Sequence, residues 1–243
     1  MRVVAHRGNS AVAPENTLAA IASAMACGAD SVEIDVRLTL DGVPVVIHDE
    51  TLDRTTDGSG PVSATLAAEV TALDAGAWFG ETFAGEPVPV LTDVLDMLAA
   101  AGDVELLLEV KGAWDADDVR RVTAAVADRG LGERVVAQSF SVATVAALAA
   151  VAPGLRRGLL VTEADDGVVG LCRQLRASAC NPHGAALRAW PELVDRARAA
   201  GLTVTPWTLN QPADWAAARD WGVDGIITDR PSELLAWTAA PAA

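Results

Sequence analysis

A chain of 243 residues with a formal net charge of −15 is long enough for one large domain with a full core and too acidic to take nucleic acid or an anionic membrane as a bulk partner. Its 51% hydrophobic and 21% charged residues, with no low-complexity run, exclude a disordered or fibrous chain. Cys27, Cys172 and Cys180 have no metal-like spacing and read as reduced thiols of a cytoplasmic protein. No signal-peptide pattern follows Met1 and no apolar run could span a bilayer, so no stable membrane insertion is expected.

In chain order, Val3 to His6 reads as the first strand, and Glu15-Asn16-Thr17 opens a helix with Leu18, Ile21, Ala22 and Met25 on one face. Ser31 to Arg37 is the second strand. Its alternation puts Glu33 and Asp35 on one face about 7 Å apart. Asp41-Gly42 is a hairpin dipeptide, and a two-residue turn there pairs Leu40 with Val43 and brings His48 opposite Asp35. From Glu50 to Pro89 periodicity fails and Gly, Thr, Ser and Pro are frequent. Such a segment is too long for an ordinary connection, so it reads as a small insertion overhanging whatever His48 serves.

Beyond it, Leu91 to Ala101 is a helix with Leu91, Val94, Leu95 and Leu98 as its stripe. Glu105 to Lys111 is the third strand, Ala116 to Arg129 a helix, Arg134 to Phe140 the fourth strand, and Val142 to Val151 a helix. Gly158 to Val161, Ala177 to Asn181, Thr203 to Trp207 and Gly225 to Thr228 complete eight parallel strands, with a helix at Val168 to Leu175 and another from Ser232. Disorder is expected only at the tail, Thr238 to Ala243.

Polar residues gather at the C-terminal ends of these strands: His6, Glu33, Asp35, Glu109, Lys111, Gln138, Asn181, Trp207 and Asp229. That is where a (β/α)8 TIM barrel builds its active site. An open doubly wound sheet would not collect residues from nearly every strand into one ring. The expected architecture is therefore a single α/β barrel domain over residues 1–243, with the small insertion 50–89 following the second-strand hairpin.

Buried charges are costly unless paired or bound to metal. Glu33, Asp35 and Glu109 form an all-oxygen set suited to a hard divalent cation, Mg²⁺ or Ca²⁺, whereas zinc would want nitrogen or sulfur. Glu109 and Lys111 share a strand face and could equally be an ion pair. Arg7 offers a planar fork of donors for phosphate or carboxylate, beside a glycine that allows close backbone approach. There is no Walker loop, dinucleotide fingerprint, G-x-S-x-G elbow or C-x-x-C. A calcium-loop-like start at Asp53, Thr55, Asp57 and Gly58 fails at Ala64.

The ordered segments HRGNSAVAPENT, VEIDVRLTLDGVPVVIHDETLDRTT, LLLEVK, VAQSF, VTPWTLN and GVDGIITDRP resemble the signature of the glycerophosphodiester phosphodiesterases, over nearly the whole chain from Val3 to about Pro231. The resemblance implies a β/α barrel that hydrolyses glycerophosphodiesters to sn-glycerol 3-phosphate and an alcohol with a divalent cation. It implies His6 and His48 as acid and base, Glu33, Asp35 and Glu109 as metal ligands, and Arg7 and Lys111 on the phosphate. Trp207, at the rim in VTPWTLN, joins them as a substrate-binding residue. The expected partner is a small phosphodiester, and a homo-oligomer is open. Leu40, where the family often has Lys, lies in the turn and touches no expected role. A second activity, lysophospholipase D-type cleavage of single-chain lysolipids, would require Trp78, Phe79 and Phe83 to line an apolar channel.

Overall fold

The computed structural model describes residues 1–240. Strand and helix alternate: β1 (Arg2–His6), α1 (Leu18–Ala26), β2 (Ser31–Leu38), β3 (Pro44–Val46), α2 (Ala67–Val70), α3 (Leu91–Ala100), β4 (Glu105–Val110) and α4 (Ala116–Asp128). They continue as β5 (Val135–Ser139), α5 (Val142–Val151), β6 (Arg156–Val161), α6 (Val168–Gln174), β7 (Ala179–Pro182), α7 (Gly184–Ala189), α8 (Leu193–Ala199), α9 (Pro212–Trp221), β8 (Gly225–Thr228) and α10 (Pro231–Ala239). Helices α7, α8 and α9 were not anticipated as elements. Of the tail expected to be disordered, Thr238 and Ala239 end α10, and residues 241–243 lie outside the described part. Among the described residues no helix is long and apolar enough to cross a membrane.

The sheet runs β7-β6-β5-β4-β2-β1-β8, every neighbour parallel, with β3 antiparallel to β2. The gap between β7 and β8 is filled by Thr203 to Trp207, the segment expected as the seventh strand. It is not a regular strand. It meets β7 through bridges at Ala179–Thr203 and His183–Trp207, and β8 through bonds from Ile227 N to Pro206 O (3.0 Å) and from Leu209 N to Ile227 O (3.0 Å). Pro206 has no N–H to give a ladder, and the Thr205 N–H goes instead to the Asn181 side chain. The sheet thus closes into the expected barrel.

Period-two alternation sorts each strand between two environments. On β2 and β4, Val32, Ile34, Val36, Leu106, Leu108 and Val110 face outward into a core shared with Ile21, Leu91, Leu95, Val119 and Val122 of the surrounding helices. A second outer core, around Leu159, Cys180, Leu193, Trp215 and Ile226, seals the other half. Inside the barrel, Val4, Leu107 and Ile227 form a small apolar plug with Val136 and Trp207. Caps set the helix starts: Thr17, Asp115 and Ser141 accept backbone N–H bonds at α1, α4 and α5.

The hairpin differs from the expected register by one residue. Val36 faces Val46 and Leu38 faces Pro44, so Asp35 O receives the Ile47 N–H (3.0 Å) and His48 lies beyond the end of β3. The cause is a three-residue loop, Leu40-Asp41-Gly42, closed by the bond from Thr39 N to Val43 O (3.1 Å). Gly42 supplies the left-handed residue (φ 75°) that such a loop needs. Residues 50–89 carry α2 and a separate apolar cluster of Leu52, Val62, Val70, Ala75 and Val88 that continues onto Val45 and Ile47 of the hairpin.

Candidate active site

Parallel register places the charged side chains side by side at the C-terminal end of the barrel. His6 is opposite Glu33, and Asp35 is opposite Glu109. A cavity of about 230 Å³ opens there, lined by His6, Arg7, Glu33, His48, Glu109, Lys111 and Trp207, among others. Asp35 lies directly beneath, 1% exposed. All eight residues singled out from the sequence are thus brought together, including His48, which reaches the cavity from the loop rather than from the strand.

The three carboxylates offer oxygen atoms all within 4.8 Å of one another, and all three residues are buried. Lys111 Nζ lies 2.9 Å from Asp35 Oδ1 and 2.7 Å from Glu109 Oε1, so the expected Glu109–Lys111 ion pair exists inside the site. Arg7 Nε lies 3.1 Å from Asp35 Oδ2, and the Arg7 backbone N–H donates to Glu33 Oε2 (3.1 Å). Arg7 itself sits in the left-handed region (φ 57°), followed by Gly8 (φ 82°). A Cβ on Gly8 would meet the Ala20 backbone at 2.5 Å, so only glycine lets this turn pack onto α1. Strained backbone of this kind at Arg7 is typical of a site that holds a ligand-facing residue in place.

Three buried acids against two cations leave one negative charge uncompensated. Burial, then Asp35 and Glu109, raise the Glu33 carboxyl well above the ordinary range. Burial and Asp35 push Glu109 up to about 7 against the pull of Lys111. Burial works the same way on Asp35, but Lys111 and Arg7 overcome it, helped by a hydrogen bond from Asn16, and hold that carboxyl below the usual range. Asp35 Oδ1 and Glu109 Oε1 have no well-directed hydrogen-bond donor despite being buried. Converging, partly orphaned carboxylate oxygens with one surplus charge fit a hard divalent cation.

Each histidine is backed by an aspartate. His6 Nδ1 is 2.6 Å from Asp229 Oδ1 and His48 Nδ1 is 2.6 Å from Asp49 Oδ1. Asp229 sits at about 2, where bonds from His6, Asn210 and Ser10 outweigh burial. Asp49 is held below the carboxylate range chiefly by Arg54. An ionised carboxylate can only accept, so each Nδ1 carries the proton and each Nε2 is left for the cavity. The His48 imidazole is lowered from its ordinary value by burial, with Asp35 opposing and Arg7 and Lys111 reinforcing.

The opposite wall is neutral. Trp207 stacks edge-on with Phe140 (5.3 Å between ring centres) and with His183 (4.9 Å), and its Nε1–H donates to Asn181 O. Trp78, Phe79 and Phe83 stack on one another at 5.6 Å in the 50–89 segment and do not line the cavity.

A family description, the Glycerophosphoryl diester phosphodiesterase family, matches residues 6–233. The chain belongs to that family. Relatives agree with this membership: a glycerophosphodiester phosphodiesterase of Caldanaerobacter subterraneus is 40% identical over 238 residues, 96% of each chain. A probable glycerophosphodiester phosphodiesterase 1 of Mycobacterium tuberculosis is 36% identical over 253 residues, 97% of this chain and 91% of that one. Among solved structures, an Oleispira antarctica phosphodiesterase in complex with the product sn-glycerol-3-phosphate superposes with a TM-score of 0.92 at 29% identity, covering 99% of this chain and 97% of that one. An Agrobacterium tumefaciens glycerophosphodiester phosphodiesterase gives 0.84 at 36% identity, with 97% and 99% covered.

Several neighbours of the site were given no place in it from the motifs: Glu15, Asn16, Asp49 and Arg54, while Asp229 was noted only as a polar strand end. All lie within the quoted segments. Their signal was polarity in loops directly after strand ends; what they touch was not readable there.

Proposed function

We propose that His6 and His48 are the acid and base of phosphodiester hydrolysis, that Glu33, Asp35 and Glu109 hold Mg²⁺ or Ca²⁺, and that Arg7, Lys111 and Trp207 bind substrate. The reaction is that of a glycerophosphodiester phosphodiesterase: a glycerophosphodiester yields sn-glycerol 3-phosphate and an alcohol. The observation that carries the residue roles is the meeting of two Asp-backed histidines with three buried carboxylates around one cavity.

When bound, the cation would polarise a phosphoryl oxygen as a Lewis acid. The side chains supply the rest. Arg7 and Lys111 present positive charge to the phosphoryl group, binding the anionic diester and offsetting the negative charge that grows on it as the reaction proceeds. One histidine accepts the proton of the attacking group at Nε2. The other, entering as the imidazolium with protons on both Nδ1 and Nε2, donates from Nε2 to the departing alkoxide; the attacking oxygen bonds to phosphorus as the P–O bond to the alcohol breaks. Trp207 and Phe140 form an apolar wall that limits water beside the reacting centre.

The same reading takes the chain as one barrel domain, with residues 50–89 placed over the mouth of the site. The side chain of Arg54, reaching Glu15 and Asp49, supports this placement. Three free cysteines, two of them buried, support a reducing compartment, the cytoplasm. Release of sn-glycerol 3-phosphate from glycerophosphocholine by the purified protein, measured with Mg²⁺, with Ca²⁺ and after chelation, tests the proposal. Turnover restored by one cation supports it. A folded protein silent under all three conditions, yet cleaving lysophosphatidylcholine, would replace it with the lysolipid activity.

A further inference from the structure

Arg54 belongs to the segment between the hairpin and α3, yet its guanidinium reaches both catalytic halves of the site. Nε donates to Asp49 Oδ2 at 2.6 Å and Nη2 to Asp49 Oδ1 at 3.1 Å. Nη1 and Nη2 donate to the two oxygens of Glu15 at 2.9 and 2.8 Å. Each carboxylate carries the grip onward. Asp49 holds His48 Nδ1 at 2.6 Å, and Glu15 accepts from Arg7 Nη1 at 2.8 Å.

The geometry points to Arg54 as a positioning residue that sets His48 through Asp49 and Arg7 through Glu15, so that residues 50–89 are wired to both the proton-transfer group and the phosphate-facing group. This inference rests on the roles proposed above for His48 and Arg7. The physical argument is the shape of the donor. A planar fork with donors along two edges can engage two carboxylates in fixed geometry, whereas an ammonium is a point charge that cannot span both. Arg54 is itself 45% exposed, so it adds little as a surface ion pair. Its leverage comes from the buried partners: Glu15 is 14% exposed and Arg7 17%. Without the fork, Asp49 is free to turn away from Nδ1, and the His48 ring loses the bond that fixes its orientation and its tautomer.

The two arms have separable kinetic signatures. Loss of the Asp49 arm disturbs proton transfer and lowers kcat. Loss of the Glu15 arm loosens Arg7 and raises KM for the phosphodiester. The test uses the full chain with glycerophosphocholine and saturating divalent cation, comparing Asp49→Asn, Glu15→Gln, Arg54→Ala, Arg54→Lys and the double variant Arg54→Ala/Asp49→Asn. The expectation is that Asp49→Asn chiefly lowers kcat and Glu15→Gln chiefly raises KM. Arg54→Ala should do both, lowering kcat/KM by about 10- to 100-fold. Arg54→Lys should remain impaired, and added guanidinium at millimolar concentration should restore part of the Arg54→Ala activity. In the Asp49→Asn background, removing Arg54 should cost little further kcat, because both changes break one linkage. Wild-type kcat and KM in Arg54→Ala would overturn the inference, as would kcat losses that simply multiply in the double variant. Should Arg54→Ala not fold, a missing kcat-against-KM split between Asp49→Asn and Glu15→Gln overturns it just as well. An inactive wild type would instead count against the proposed function, so the two failures are distinguishable.

Discussion

Glu105 and Glu109 occupy the same face of β4, one at each end of the barrel, and the chain treats them differently. At the N-terminal end Glu105 lies 2.6 Å from Arg2 and 3.2 Å from Arg156, with side chains 23%, 44% and 37% exposed. At the C-terminal end Glu109 is 8% exposed beside Lys111 and shares its surroundings with two more buried carboxylates. The first cluster has two cations for one acid and water around it, which makes it an ordinary surface network of small energetic weight. The second has surplus negative charge in a dry place. Residue type does not separate the two; burial and charge balance do, and an unbalanced buried cluster is the one that invites a ligand and chemistry.

The largest effect expected is at the catalytic end. His48→Ala should lower kcat by about 10²- to 10⁴-fold while calorimetry shows divalent cation binding little changed; near-wild-type turnover would remove His48 from the acid/base pair. Next, Glu33→Gln should abolish cation-dependent activity and yet raise the melting temperature in chelator, because an ionised Glu33 is unfavourable in its buried site. A lower melting temperature would mean that Glu33 is a structural charge like Glu105.

A third test uses pH. Glu109 titrates at about 7 in the folded protein against an ordinary 4.5. Between those values the folded state binds more protons than the unfolded one, at Glu109 and at the likewise raised Glu33, so stability in chelator should fall as pH rises from about 4.5 to about 7, with Glu109 contributing a few kcal/mol at most. Urea unfolding across that window checks this; a flat or rising profile would contradict the raised value. The smallest effect is at the other end. Glu105→Gln should leave kcat and KM unchanged and cost about 0–1 kcal/mol in unfolding free energy. A loss of activity there would erase the contrast between the two ends.

Much of this contrast was legible in the residue pattern. Glu33, Asp35 and Glu109 stood out because period-two alternation inside Val-, Ile- and Leu-rich runs assigns them to the interior, where isolated carboxylates have no structural use. Eight apolar runs separated by alanine-rich helices predicted a barrel. The hairpin register was missed because Asp41-Gly42 serves a two-residue turn and a three-residue loop alike, and only the closed Thr39–Val43 bond distinguishes them. The seventh position of the barrel read as a strand, but Pro206 breaks its ladder into bridges. Helices α7, α8 and α9 went unseen, the first two being six and seven residues long and the third ten.

The linkages of the site depended on folding. Nothing local joins Arg54 to Glu15, Asp229 to His6 or Asn16 to Asp35; barrel closure brings them within hydrogen-bond distance. Alternation and composition are properties of neighbouring residues, so the sequence by itself determined the barrel and the buried acids, and its ordered motifs, by resemblance, singled out His6 and His48. Charge balance, tautomer and orientation depend on distances between residues remote in the chain, and those only the tertiary structure decided.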